Sequence, residues 1–248
     1  MYIGGAKALP SKPPRLNIYA GVLVQKMLGG YILKKGDFLW VGALAAAVLF
    51  LVMPATHDVF IAFTSVHPFI SGFIKFFILA TMGELLAIRI VTTEWNVPKG
   101  VVYRGAIWGL LGMVIVLIFS VFASGIKAAM GSGLLPGGES KLLFAFFVSS
   151  VMNLTFAPTM MAFHRVTDTI IDLSYEKGQM APIGEVLSRI DWKGFISFAI
   201  IKTIPIFWIP AHTITFMLPP EYRVLMAAML SIALGAILAF AKKKAQEA

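Results

Sequence analysis

The sequence predicts an all-α, polytopic transmembrane bundle of about six hydrophobic helices, with both termini in the cytoplasm. Three observations predict it. Apolar residues make up 58% of the 248-residue chain and charged residues only 13%, against about 25% charged in an average soluble domain. The apolar residues gather into runs close to the ~20 residues needed to cross a ~30 Å hydrocarbon core. Lysine and arginine, in turn, crowd into every second connection between those runs.

In chain order the expected spans are residues 38–53, 68–92, 105–130, 142–163, 194–216 and 222–241. The first is short and stops at Pro54, whose ring clashes with the preceding turn; residues 54–67 then read as partly interfacial. The last two meet at Pro219-Pro220, which halts helix propagation and forces a tight turn. Residues 1–37 form a basic N-terminal region. They are too polar and Lys-rich for a signal peptide, and no small-residue cleavage site follows the first apolar run, so that run reads as an uncleaved anchor. Within this region 16–33 is apolar at several positions but broken by Lys26 and Gly29-Gly30, which suits an interfacial helix. Residues 38–241 form the transmembrane domain and 242–248 a basic cytoplasmic tail. Residues 164–191 are the longest polar stretch. Val166, Ile170, Ile171 and Leu173 recur there near helical spacing, as in an amphipathic continuation of the fourth span.

The basic residues set the orientation. Lys7, Lys12, Arg15, Lys26, Lys34 and Lys35 precede the first span, and none falls in the first connection. Arg89, Lys99 and Arg104 flank the second connection, Lys127 and Lys141 the third, and Arg165, Lys177, Arg189 and Lys193 the fourth. The fifth holds only Arg223, and the tail carries Lys242, Lys243 and Lys244. Sixteen fall on one side and three on the other, and the positive-inside rule places the richer side in the cytoplasm. The net charge of +9 is thereby explained by anionic lipid, and no nucleic-acid partner is expected. With no cysteine, thiolate chemistry and zinc–thiolate sites are excluded.

Ionisable groups within spans are costly, roughly 2.5–3.5 kcal/mol each, and point to function. Glu84 and Lys202 lie at matching depths, each roughly 12 Å in from the cytoplasmic side. Asn153 and Thr155 fall near the same level. Pro158 and Pro205 flank it, and each frees a backbone carbonyl that needs a polar partner; Pro210 is a further kink in the fifth span. These residues predict a polar layer facing the bundle interior, with Glu84 paired to Lys202, acting either as a solute or proton pathway or as a packing ion pair. Lys75 is expected to snorkel outward, and Arg89 to anchor topology. Gly105, Gly109 and Gly112 permit close helix approach, as do Ala228, Ser231 and Gly235 in the last span; these small-residue faces leave room for a homo-oligomer. Trp40, Trp95, Trp108, Trp192 and Trp208 suit the interfaces. His57, His67, His164 and His212 lie on separate segments without an acidic cluster, so no metal site is expected. His212, near the outer end of the fifth span, reads as a hydrogen-bonded interface residue ahead of a pathway residue. No cofactor is expected. The phosphate-cradling loop, the Gly-x-Ser-x-Gly elbow and paired catalytic carboxylates are all missing, so the chain does not read as an enzyme.

Several short motifs resemble a family of small integral membrane proteins that takes in the Mpv-seventeen protein of the inner mitochondrial membrane and a small peroxisomal membrane protein. Gly83-Glu84-Leu85-Leu86-Ala87 is similar to its Gly-Asp motif, and Arg104 stands where a basic residue precedes the family's second span. Asn153 through Pro158 resembles its Asp-Gln segment leading to a proline, with Met152 in place of the Asp. Pro219-Pro220-Glu221-Tyr222-Arg223 is similar to its Pro-x-x-Tyr-Arg signature. The family's Gly-Pro and His-x-Trp-Tyr elements are absent, and its Trp-Pro pair is loosened around Trp208 and Pro210. The resemblance covers about residues 68–241 and implies a distant member with an N-terminal extension. It also implies a non-selective or weakly selective channel for small metabolites. The family's organelle compartment does not carry over, because no organelle-targeting segment is evident; a prokaryotic plasma membrane is favoured. The expected function is therefore a pore or transporter for small polar solutes, with membrane lipid as the other partner. The alternatives are a structural or partner-binding membrane protein and, last, a lipid-acting enzyme.

Overall fold

The computed structural model describes residues 33–247. The interfacial helix expected at 16–33 therefore lies, but for Leu33, outside the described residues, as do the side chains of the tail lysines. The chain divides into two units, Met1–Ala43 and Leu44–Ala248. In the first, the Asp37 carboxylate accepts from the Lys34 backbone N–H at 2.7 Å. This contact opens helix α1, Lys35–Val52, which buries none of its residues.

The second unit holds the rest of α1 and seven further helices: α2 Pro54–Val66, α3 Pro68–Thr92, α4 Val101–Gly131, α5 Lys141–Lys177, α6 Ile183–Arg189, α7 Trp192–Met217 and α8 Pro220–Glu247. No strand occurs among the described residues. Proline opens α2, α3 and α8, where the missing N–H is no loss. The Ser140 hydroxyl and the Asp191 carboxylate cap α5 and α7, accepting from Leu143 N at 3.4 Å and Gly194 N at 2.9 Å. α5 runs well past its expected span, through the polar stretch to Lys177, and ends at Gly178 with φ +70°. Leu173 on that extension packs with Ala181, Val186 and Ile190 as α6 folds back.

α1, α4, α5, α7 and Pro220–Ile237 of α8 are long and apolar enough to cross a membrane. The remaining expected span, α3, forms as a 25-residue helix but is not among those five. It carries Lys75, Glu84 and Arg89, and it is the helix on which α4 and α8 both pack. Glycines set those contacts. A Cβ at Gly112 would lie 2.4 Å from the Gly72 carbonyl oxygen, and one at Gly109 would strike the Phe73 ring at 2.6 Å. A Cβ at Gly105 would meet Phe77 and Thr81 at 3.0 Å. On the other flank, a Cβ at Gly83 would come within 3.1 Å of Ile232 Cα and the Ser231 carbonyl of α8. Backbones this close gain dispersion contacts that larger residues would prevent.

α7 is irregular. Its segments Phe195–Ile200 and Ile204–Trp208 are π-helical, with Ile201 N bonded to Ile196 O at 3.0 Å. Pro205 lies in the second segment and Pro210 just beyond it; neither can donate to the i−4 carbonyl. Such widened turns concentrate at functional sites.

Candidate functional site

The helices α3, α4, α5, α7 and α8 line a partly open cavity of about 270 Å³. Most of its wall is apolar and aromatic, including Phe76, Trp108, Phe119, Phe156, Phe195 and Trp208. Its polar wall groups include Asn153 with His212 at one end, His164 with Arg165 at the other, and Ser231 of α8. A largely apolar pocket with a few convergent polar groups is the usual form of a small-molecule site.

The Asn153 end is built by α5 and α7. Asn153 is 1% exposed; its amide donates to the Ser149 carbonyl at 2.8 Å, and Nδ2 lies 3.0 Å from His212 Nδ1. The Ser149 hydroxyl crosses to donate to the Ile209 carbonyl at 2.7 Å. The His212 ring stacks on Trp208 at 5.2 Å and meets the Phe119 edge at 5.8 Å. The Trp208 Nε1–H is buried with no hydrogen-bond partner among the described residues. A buried unpaired donor costs about 1–3 kcal/mol, so a bound acceptor in this cavity would be favoured.

The other end adjoins an ion cluster centred on Arg104. Gly100, with φ +71°, opens α4, and a Cβ there would strike Ile171 and Tyr175 of α5 at 2.6–2.7 Å. That close approach brings Arg104, one turn on, against α5. Its guanidinium lies 3.1 Å from Asp168 Oδ1 and 3.5 Å from Glu84 Oε1, and it donates to Asp172. Arg104 is only 6% exposed. Asp168 also lies 3.4 Å from His164 Nδ1, and the His164 ring rests on Trp108 at 4.1 Å. One arginine thus ties α3, α4 and α5 together and touches the cavity wall through His164.

The expected polar layer takes a different form. Glu84 pairs with Arg104, not Lys202. Lys202 is exposed and makes no ion pair among the described residues, while its neighbours Thr203 and Ile204 are the buried ones. Matching depth does not bring two groups together unless both helix faces turn inward, and the π turns of α7 shift that phase. Thr155 stands two positions from Asn153, roughly 200° around the helix; it is exposed, and its hydroxyl donates to its own helix at Val151 O, 2.6 Å away. Asn153 alone of the expected layer reaches the cavity. Arg89 is 2% exposed and donates to the Thr93 carbonyl, holding a turn in which Thr93 has φ +60°. Lys75 is likewise buried, at 8% exposure, and does not snorkel.

The remaining motif residues fall elsewhere. Pro158 is half-buried inside an unbroken α5. Pro219 is exposed in the turn before α8. Tyr222 places its hydroxyl 2.5 Å from His57 Nε2, and Arg223 Nε donates to Leu218 O at 3.0 Å. Asp168, Asp172 and Trp108 were not singled out from sequence as site residues. The signal for the carboxylates was present: His164, Asp168 and Asp172 recur at four-residue intervals, one stripe of a helix.

No family model, curated protein or solved structure matches the chain.

Proposed function

We propose that this chain is a multi-pass membrane protein that moves small polar solutes through its helix bundle, using the cavity beside Asn153 and His212 as the binding site. The observation that carries this is an aromatic-walled space inside the bundle with Asn153, His212 and an unpartnered Trp208 N–H at one end. It suits a compact polar solute whose hydrogen-bonding groups meet Asn153, His212 and Trp208 while its carbon framework lies on the rings. α7, with its π turns and prolines, is the wall best suited to move, because its backbone bonds are already irregular. The pathway in this reading runs by Asn153 and His212 and not between Glu84 and Lys202.

The charge distribution supports six crossings with both termini in the cytoplasm. α3 would cross despite its three charged residues because Glu84 is paired within the bundle and Arg89 is satisfied by backbone. A distant relationship to the Mpv-seventeen family fits this function and rests on the motifs at Gly83, Pro158, Pro219, Tyr222 and Arg223. The Arg104 cluster favours a second, structural part played alongside it, since three carboxylates from two helices converge on one cation. Release of graded sugars from liposomes holding the purified protein tests the proposal. Size-limited release above empty liposomes is expected; its absence, with folded protein, would leave only the structural part.

A further inference from the structure

A buried lysine without a carboxylate partner lies toward the opposite end of α3 from the Arg104 cluster. Lys75 Nζ donates to Thr64 Oγ1 at 3.0 Å and stands 4.5 Å from the Phe60 ring centroid. The Thr64 hydroxyl in turn lies 3.0 Å from Ser71 Oγ. No carboxylate lies within ion-pair distance of Lys75 among the described residues. A hydroxyl and a ring face compensate only part of an ammonium's lost hydration, so a buried cation in this state favours an anion.

Two cavities meet at this side chain. One, of about 400 Å³, has a polar wall of Thr64, Ser65, Ser120 and Ser124, with Glu221 and Arg223 beside them. Arg223 Nε is committed to Leu218 O, and its face rests on Phe216 at 5.4 Å; its terminal nitrogens have no partner among the described residues. Lys75 and Arg223 therefore outnumber Glu221, the one carboxylate on that wall among the described residues. The other cavity, of about 390 Å³, is an apolar groove between α1, α2, α3 and α8 that includes Val48, Phe63, Ile74, Ile78 and Met229. Among the described residues Lys75 is the one charged residue lining it.

We infer that these paired cavities hold one anionic phospholipid, with its phosphate at Lys75 and Arg223 and an acyl chain along the groove. Both halves of the ligand are read from the wall. Phosphate oxygens accept from an ammonium, a guanidinium and hydroxyls at once. A free phosphate would leave the apolar groove unfilled, and a neutral lipid would leave the positive excess at the wall uncompensated. Of the residues lining the site, only Phe119 also lines the solute cavity, and the inference does not depend on that function.

Native mass spectrometry of the delipidated full chain in nonionic detergent tests this, with phosphatidylglycerol or phosphatidylcholine added. One phosphatidylglycerol is expected to bind preferentially, and an excess of inorganic phosphate should not displace it. Lys75→Met and Arg223→Gln should each weaken binding about tenfold or more, the scale of a lost charge-assisted hydrogen bond. Lys75→Arg should retain binding. Ile78→Trp keeps both cations but fills the groove at an exposed position, so it tests the acyl half without emptying the core, and it should also abolish binding. Equal binding of phosphatidylcholine, displacement by phosphate alone, or undiminished binding in Ile78→Trp would each overturn the inference.

Discussion

Asn153 and Thr155 are two residues apart on α5 and live in different worlds. Asn153 is buried on His212 and Ser149, whereas Thr155 is exposed and bonds only its own helix. Asn153→Leu should lower stability in detergent by about 1–3 kcal/mol, since it leaves buried partners unpaired; Thr155→Leu should stay within about 0.5 kcal/mol. Denaturant unfolding followed by tryptophan fluorescence measures both. Arg104 makes a larger prediction. Arg104→Gln leaves three carboxylates facing one another, and should cost about 2–3 kcal/mol, at the low end for a broken buried pair because the carboxylates are partly exposed. Asp172→Asn, whose side chain is 61% exposed, should cost less than about 1 kcal/mol. Asn153 was legible from sequence as a polar residue at membrane depth. Its partner His212 was weighed there as an interface residue, and the Glu84–Arg104 pairing was hidden. Arg104 looked like a loop charge because sequence gives depth along a helix but not the phase between helices.

Within one helix, α4, two glycines separate packing from propensity. A Cβ at Gly112 would sit 2.4 Å from a backbone oxygen of α3, so Gly112→Ala must push the helices apart and should cost about 1–3 kcal/mol. Gly125 has nothing within 4 Å of its Cβ position, so Gly125→Ala should raise stability by up to about 1 kcal/mol through helix propensity. Thermal unfolding of the two variants in the same detergent compares them directly. Element boundaries were largely readable because prolines mark them locally: Pro54, Pro68 and Pro220 stand at breaks the chain could not cross as a regular helix. The extension of α5 was readable from Ile171 and Leu173. The π turns of α7 were not. Pro205 signals a disturbance, but the first widened segment ends five residues before it, at Ile200, where only tertiary contacts distinguish one turn type from another.

At the scale of the whole molecule, the uneven spread of basic residues over the connections predicts an orientation that labelling can test. The chain has no cysteine, so single cysteines report sidedness without background. A cysteine at Ser132, in the α4–α5 connection, should label from the outside of intact cells. One at Gln179, after α5, should label only once the membrane is opened. Both positions are exposed, and the opposite pattern would reverse the orientation. The long apolar helices were legible at this scale because run length and hydropathy are properties of sequence alone, and five helices prove long and apolar enough to cross a membrane. The cavity was not, since five helices must meet to line it. The measurement that bears most directly on solute passage is release of graded sugars from liposomes carrying wild-type protein, Asn153→Leu or Thr155→Leu. Solute passage through the cavity predicts size-limited release by the wild type, changed by Asn153→Leu and unchanged by Thr155→Leu. Release that Asn153→Leu leaves untouched, or none from folded wild-type protein, would contradict it.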